Sequence, residues 1–117
     1  MLTFDVAPMG VETEARGTVV VNIAGSGYTM TITVENLAPN AQYPINMHSG
    51  ACPNPEIDPA TAVWIVQQTP ADEAGTLTYE KTFDIPWDVP DAGRTLTIHG
   101  RVPIESGTHI ACADLTE

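Results

Sequence analysis

Apolar and polar residues alternate one by one along most of the chain, the period of a strand with one buried face. Between Gly17 and Ile23, Val19, Val21 and Ile23 fall on one side and Thr18 and Asn22 on the other. The turn Ala24-Gly25-Ser26-Gly27 leads into a second run, with Tyr28, Met30, Ile32 and Val34 on the apolar side and Thr29, Thr31 and Thr33 opposite. The two runs read as a hairpin. After the turn-rich segment Asn36-Leu37-Ala38-Pro39-Asn40-Ala41, the stretch Gln42 to His48 places Tyr43, Ile45 and Met47 inward and leaves Asn46 and His48 on the outer face. Ala62 to Gln67 is the next strand. Gly75 to Phe83 then sets Leu77, Tyr79 and Phe83 against Thr76, Thr78, Glu80 and Thr82, with Lys81 interrupting the apolar side. In Arg94 to His99, Leu96 and Ile98 point inward and Thr95, Thr97 and His99 outward; Leu2 to Ala7 and His109 to Asp114 complete the set.

Nowhere do apolar residues recur at helical spacing for three turns, and the segments between strands leave no room for crossover helices. The pattern predicts an all-β fold: an eight-stranded antiparallel Greek-key sandwich or flattened barrel. With 117 residues, 43% of them hydrophobic, the chain can bury one core and not two. No repeat, linker or low-complexity stretch divides it, so residues 1–117 are expected to form a single domain. Pro53, Pro55, Pro59 and Pro70 flank the Ala62 to Gln67 strand, where proline presets turns and stays out of a central ladder.

Charge narrows the partners. Four basic against 15 acidic side chains give a formal net charge of -11, a field that repels nucleic acid, anionic lipid and anionic substrates. No apolar stretch approaches the roughly 18 residues that span a bilayer. The first residues, Met1-Leu2-Thr3-Phe4-Asp5-Val6, lack the layout of a signal peptide. One cysteine pair, few lysines and many Thr, Pro and Gly residues suit an exported protein whose leader has been removed, placing it as secreted, periplasmic or on the cell surface.

Cys52 and Cys112 would, if bonded, tie the middle of the chain to its last strand and stabilise the fold by roughly 4 kcal/mol. A reduced, buried pair is the alternative. Neither sits in a Cys-x-x-Cys arrangement or among bases, so no catalytic thiol is expected. The same two segments carry His48 and His109. Glu56, Asp58, Asp72 and Glu73 fit no calcium-loop spacing and read as solvated carboxylates. Trp64 and Trp87 read as core or sheet-covering residues, Trp87 in its Pro-rich loop being the better candidate for an exposed contact. Nucleophile elbows and phosphate loops are absent.

In order, the chain has Ala15-Arg16-Gly17-Thr18-Val19, then Glu35-Asn36-Leu37-Ala38-Pro39, a strand ending in His48, and Cys52 shortly after. Gly93-Arg94-Thr95-Leu96-Thr97-Ile98-His99 follows, and Ile110-Ala111-Cys112 comes near the end. This succession resembles the copper/zinc superoxide dismutase superfamily and the related small bacterial domains with chordin-like sequence, over nearly the whole chain. The resemblance implies a Greek-key sandwich in which Cys52 and Cys112 bond. It also implies copper held by a His-x-His pair, a histidine shared with zinc, and a histidine ending the Gly-Arg-Thr-Leu strand. Asn46-Met47-His48 stands where the pair belongs, so an amide replaces the first ligand, while His48 matches the second and His99 the last. From Pro53 to Val63, where the zinc loop belongs, there is no histidine, so neither the bridge nor a zinc site is expected. His109 replaces the family's substrate-attracting arginine, and a neutral imidazole draws little on an anion.

The sequence therefore leads to a non-catalytic, extracytoplasmic β-sandwich module that binds a protein or surface partner or serves structurally. The alternative, from the metal class, is a copper-binding protein with residual redox activity through His48 and His99, His109 completing a three-histidine cluster.

Overall fold

The computed structural model describes residues 2–8, 14–52, 54–55, 63–87, 93–99 and 109–115. They form β1 (Leu2–Pro8), β2 (Arg16–Ala24), β3 (Gly27–Glu35), β4 (Gln42–Ala51), the two-residue β5 (Asn54–Pro55), β6 (Val63–Pro70), β7 (Leu77–Phe83), β8 (Arg94–His99) and β9 (His109–Asp114). The eight long strands are those expected, within a residue or two at most ends; β5 is too short for any periodicity to announce it. No helix occurs among the described residues.

Every pairing is antiparallel, in the order β5-β4-β8-β9-β1-β2-β3-β7, with β6 also on β4. β6, beside β4 and off this path, and β7 at its far end touch without a ladder between them among the described residues, so the single sheet is nearly closed. Closure of this kind hides most of the strand edges that would otherwise recruit another chain.

Alternation fixes which residues meet inside. Val19 and Val21 of β2, Met30, Ile32 and Val34 of β3, Ile45 and Met47 of β4, Leu77 of β7 and Leu96 and Ile98 of β8 are all buried, as their spacing predicts. The β2–β3 hairpin closes through Gly25 at φ 60°, the conformation a two-residue turn of type II′ requires at its first central position. Gly17 is needed for another reason: a Cβ there would collide with the Thr33 carbonyl oxygen of the neighbouring strand. β1 divides its loyalty, pairing with β2 from Leu2 to Val6 and with β9 at Ala7 and Pro8, and so turns the corner between the two halves of the sheet.

At one end, loops 36–41 and 71–76 clasp each other. Leu37 N–H donates to the Gly75 carbonyl (3.0 Å), Ala71 N–H to that of Ala41 (2.8 Å), and Ala38 N–H to the Tyr43 hydroxyl (2.7 Å). The Asp72 carboxylate is drawn into this clasp, where it accepts from Ala74 N–H (2.9 Å) and Thr76 N–H (3.0 Å). At the other end Tyr28 stacks on Phe83 (4.7 Å between centroids) and meets Trp87 edge-on (5.1 Å), and Trp87 stacks on Phe4 (6.2 Å). Trp87 is thus half-buried in an aromatic plug. This is the core or sheet-covering role expected of it, and the exposed contact for which it was the better candidate gives way to the Phe4 and Tyr28 rings. Trp64 lies on β6 in register with Asn46, and its side chain is outside the described part.

Candidate functional site

Register brings the singled-out residues together. On β4 and β8, Asn46 pairs with Thr97 and His48 with Thr95; on β8 and β9, Thr97 pairs with Cys112 and Thr95 with Asp114. Opposite residues in a ladder point to the same side. Asn46, His48, Thr95, Thr97 and Cys112 therefore share the face that points away from Ile45, Met47, Leu96 and Ile98.

The sequence places Asn46, His48 and His99 outward, toward solvent, and here the structure differs. Asn46 and His48 are each 2% exposed and Thr95 and Thr97 are fully buried; His99 is half-buried. One cause is covalent. Cys112 lies on this outer face and is bonded to Cys52, so the chain leaving β4 folds back over it, and Cys52 N–H donates to the Asp114 carboxylate (2.8 Å). The disulfide that the resemblance implied is present, and Cys112 shares the buried polar face with Asn46, His48, Thr95 and Thr97.

A polar group taken from water needs a partner. Asn46 Oδ1 accepts from the Thr97 hydroxyl and from His99 Nε2, the latter at 3.2 Å. A carbonyl oxygen only accepts, so His99 carries a proton on Nε2. The Thr95 hydroxyl donates to the His48 backbone carbonyl (3.3 Å). Burial, and secondarily the nearby His99 ring, hold the His48 pKa below the ordinary histidine value. The two imidazoles are thus electrostatic neighbours.

His109 stands opposite His99 in the β8–β9 ladder, next to a register shift between Ile98 and His99. Its side chain lies outside the described part, so the third member of the proposed cluster is placed by backbone alone. Among the described residues, no three His, Cys, Asp or Glu side chains gather as a metal site. The segment in place of a zinc loop lies outside the described residues save β5 and the start of β6, and Glu56 and Asp58 lie there too.

The network of Asn46, Thr97 and His99 was not foreseen as a unit. Its signal was present: a carboxamide in the middle of an apolar strand, and threonine and histidine alternating with Leu96 and Ile98. No known family model matches the chain, and no curated protein matches it either. The likeness to the superoxide dismutase superfamily is therefore a resemblance of sequence motifs alone. No described helix is long and apolar enough to cross a membrane.

Proposed function

We propose that the chain is a non-catalytic binding or structural module, working in an oxidising compartment outside the cytoplasm. The observation that carries this reading is the Asn46 amide. It sits where the resemblance puts a copper ligand, and it holds His99 by Nε2 and Thr97 by its hydroxyl. Asn46, Thr97 and His99 are tied to one another by hydrogen bonds, and among the described side chains the donors at this face are two imidazoles and an engaged amide oxygen. That set does not fit a redox copper centre as folded. The Cys52–Cys112 bond supports the compartment, since such bonds persist where thiols are not kept reduced.

Copper binding through His48 and His99 is the second reading, favoured by the electrostatic influence of the His99 ring on His48. Titration of Cu(II), and of Cu(I) under anaerobic conditions, into the full chain decides between them through melting temperature, because a ligand selective for the native state must raise it. No rise at excess copper is the outcome expected of the module. A saturating rise that is lost in both His48→Ala and His99→Ala would establish the metal reading instead.

A further inference from the structure

Lys81 is a cation on the apolar side of a strand. Leu77, Tyr79 and Phe83 share its side of β7, and the residues they meet on β3, Tyr28, Met30, Ile32 and Val34, are all buried. Lys81 itself stands opposite Met30, half-buried, with Nζ 5.4 Å from the centroid of the Phe83 ring. Lysine is depleted in strands, so neither propensity nor the inner face asks for it here.

The position of β7 in the sheet supplies a reason. β7 ends the strand order and is paired along one edge only, to β3. Backbone parity shows which groups the other edge presents. The two-residue turn closes the β2–β3 hairpin on the bonded pair Ala24 and Gly27, and bonded pairs then recur at every second residue. Gly27, Thr29, Thr31 and Thr33 therefore direct their N–H and C=O groups to β2, and Tyr28, Met30, Ile32 and Val34 direct theirs to β7. The N–H and C=O groups of Thr78, Glu80 and Thr82 point the other way, where no ladder exists among the described residues.

An edge of this kind is a template for a further strand. At the other end of the sheet the edges are blunted by shape: β5 is two residues long and contains Pro55, while β6 ends in Pro70 and its ladder with β4 is shifted. β7 contains no proline, and its seven residues pair with β3 without a shift. An inward-pointing charge is the device it does have, because a strand laid alongside would enclose that charge.

We propose that Lys81 keeps two copies of this chain from joining through β7. A two-fold axis would set β7 antiparallel to itself, bonding Thr78, Glu80 and Thr82 to the same residues of a second copy. Three central registers do so, and each is spoiled by charge. With Tyr79 opposite Tyr79 of the second copy, the Lys81 ammonium meets Leu77; with Glu80 opposite Glu80, two carboxylates meet and Lys81 faces Tyr79; with Lys81 opposite Lys81, two ammonium groups meet. Without the lysine charge the first register opposes no like charges and sets Thr78 against Glu80. The net charge of -11 also separates copies, but salt screens that repulsion far more than it screens an enclosed ammonium. A guarded edge suits a non-catalytic module and is independent of whether the histidines take copper.

Size exclusion with light scattering, on the full chain at rising concentration and in enough salt to screen the net charge, reads the mass directly. Wild type and Lys81→Arg are expected to stay at monomer mass. Lys81→Val and Lys81→Met, the second of which keeps an unbranched stem over Phe83, should move to dimer mass as concentration rises. Adding Thr78→Pro should return both to monomer, since proline there removes an N–H that points off the edge and none that bonds β3. Circular dichroism identifies the folded variants. A wild-type or Lys81→Arg dimer, a folded Lys81→Val or Lys81→Met chain that stays monomeric at every concentration, or dimers indifferent to Thr78→Pro would overturn the assignment.

Discussion

His48 joins two things that rarely coexist, an ionisable ring and a position 2% exposed on a strand whose other face is already in the core. Burial first, and the His99 ring second, make its charged form costly, so its pKa in the folded chain lies below the ordinary value of about 6.5. In the unfolded chain the ring takes up a proton near that ordinary value. Between the two pKa values the unfolded state binds more protons, so stability falls as pH falls. The contribution is complete above about pH 6.5 and is lost progressively from there down to the folded-state value. Acid also neutralises carboxylates, which relieves repulsion in this acidic chain, so a bare pH profile mixes opposing trends. The difference between wild type and His48→Gln isolates the ring. Melting temperatures from pH 7.5 downward should fall faster in wild type than in His48→Gln, and parallel profiles would show that His48 is not protected from protonation.

At the scale of elements, β4 and β8 bury side chains on both faces, and the Cys52–Cys112 bond lies on the polar one. Cys52 follows β4 and Cys112 lies within β9, so the bond fastens the chain leaving one strand onto the back of another two places away in the sheet. Replacing both cysteines by serine removes that constraint on the unfolded chain, at about 4 kcal/mol for a loop of this length. Solvent also reaches Asn46, His48 and Thr97. Denaturant titrations of Cys52→Ser/Cys112→Ser should show a loss of that order together with faster exchange of the His48 and Thr97 amides. A loss below about 1 kcal/mol with unchanged exchange would mean that other contacts hold the cover.

The same element shows where sequence stops being readable. Alternation marks β2, β3, β7 and β8 because each contrasts a core face with a polar one, and their inward residues follow directly. It marks Asn46, His48, Thr95 and Thr97 as outward for the same reason, and their polarity does match their side of the sheet. Their burial is set by what packs on that side in three dimensions, which leaves no period in the strand itself. The division of β1 between β2 and β9 is equally silent, since Val6 and Ala7 read alike whichever neighbour they pair with. The resemblance supplied the cysteine pairing and matched His48 and His99 to a common centre; the Asn46 hydrogen bonds needed the register of β4 on β8.

For the whole molecule, the formal net charge of -11 acts on stability across the entire surface. Folding gathers 15 carboxylates onto one small surface with few cations among them, and the mutual repulsion opposes the compact state. Described carboxylates such as Asp5, Glu35 and Asp84 are exposed, so dissolved ions reach them. The Debye length shrinks from roughly 30 Å at 0.01 M salt to about 10 Å at 0.1 M, and repulsion between separated surface charges fades over that range. Melting temperature should therefore rise steeply with NaCl up to about 0.1 M and level off beyond it. KCl should give the same curve, because screening depends on ionic strength and not on the cation. Sodium sulfate at matched ionic strength should follow that curve at low salt and climb above it at high salt, where exclusion from apolar surface adds a second effect. A flat response to NaCl would mean that the acidic side chains are spaced widely enough to ignore one another. A different low-salt response to KCl would point to cations held at defined positions among the carboxylates, a local arrangement that net charge alone does not produce.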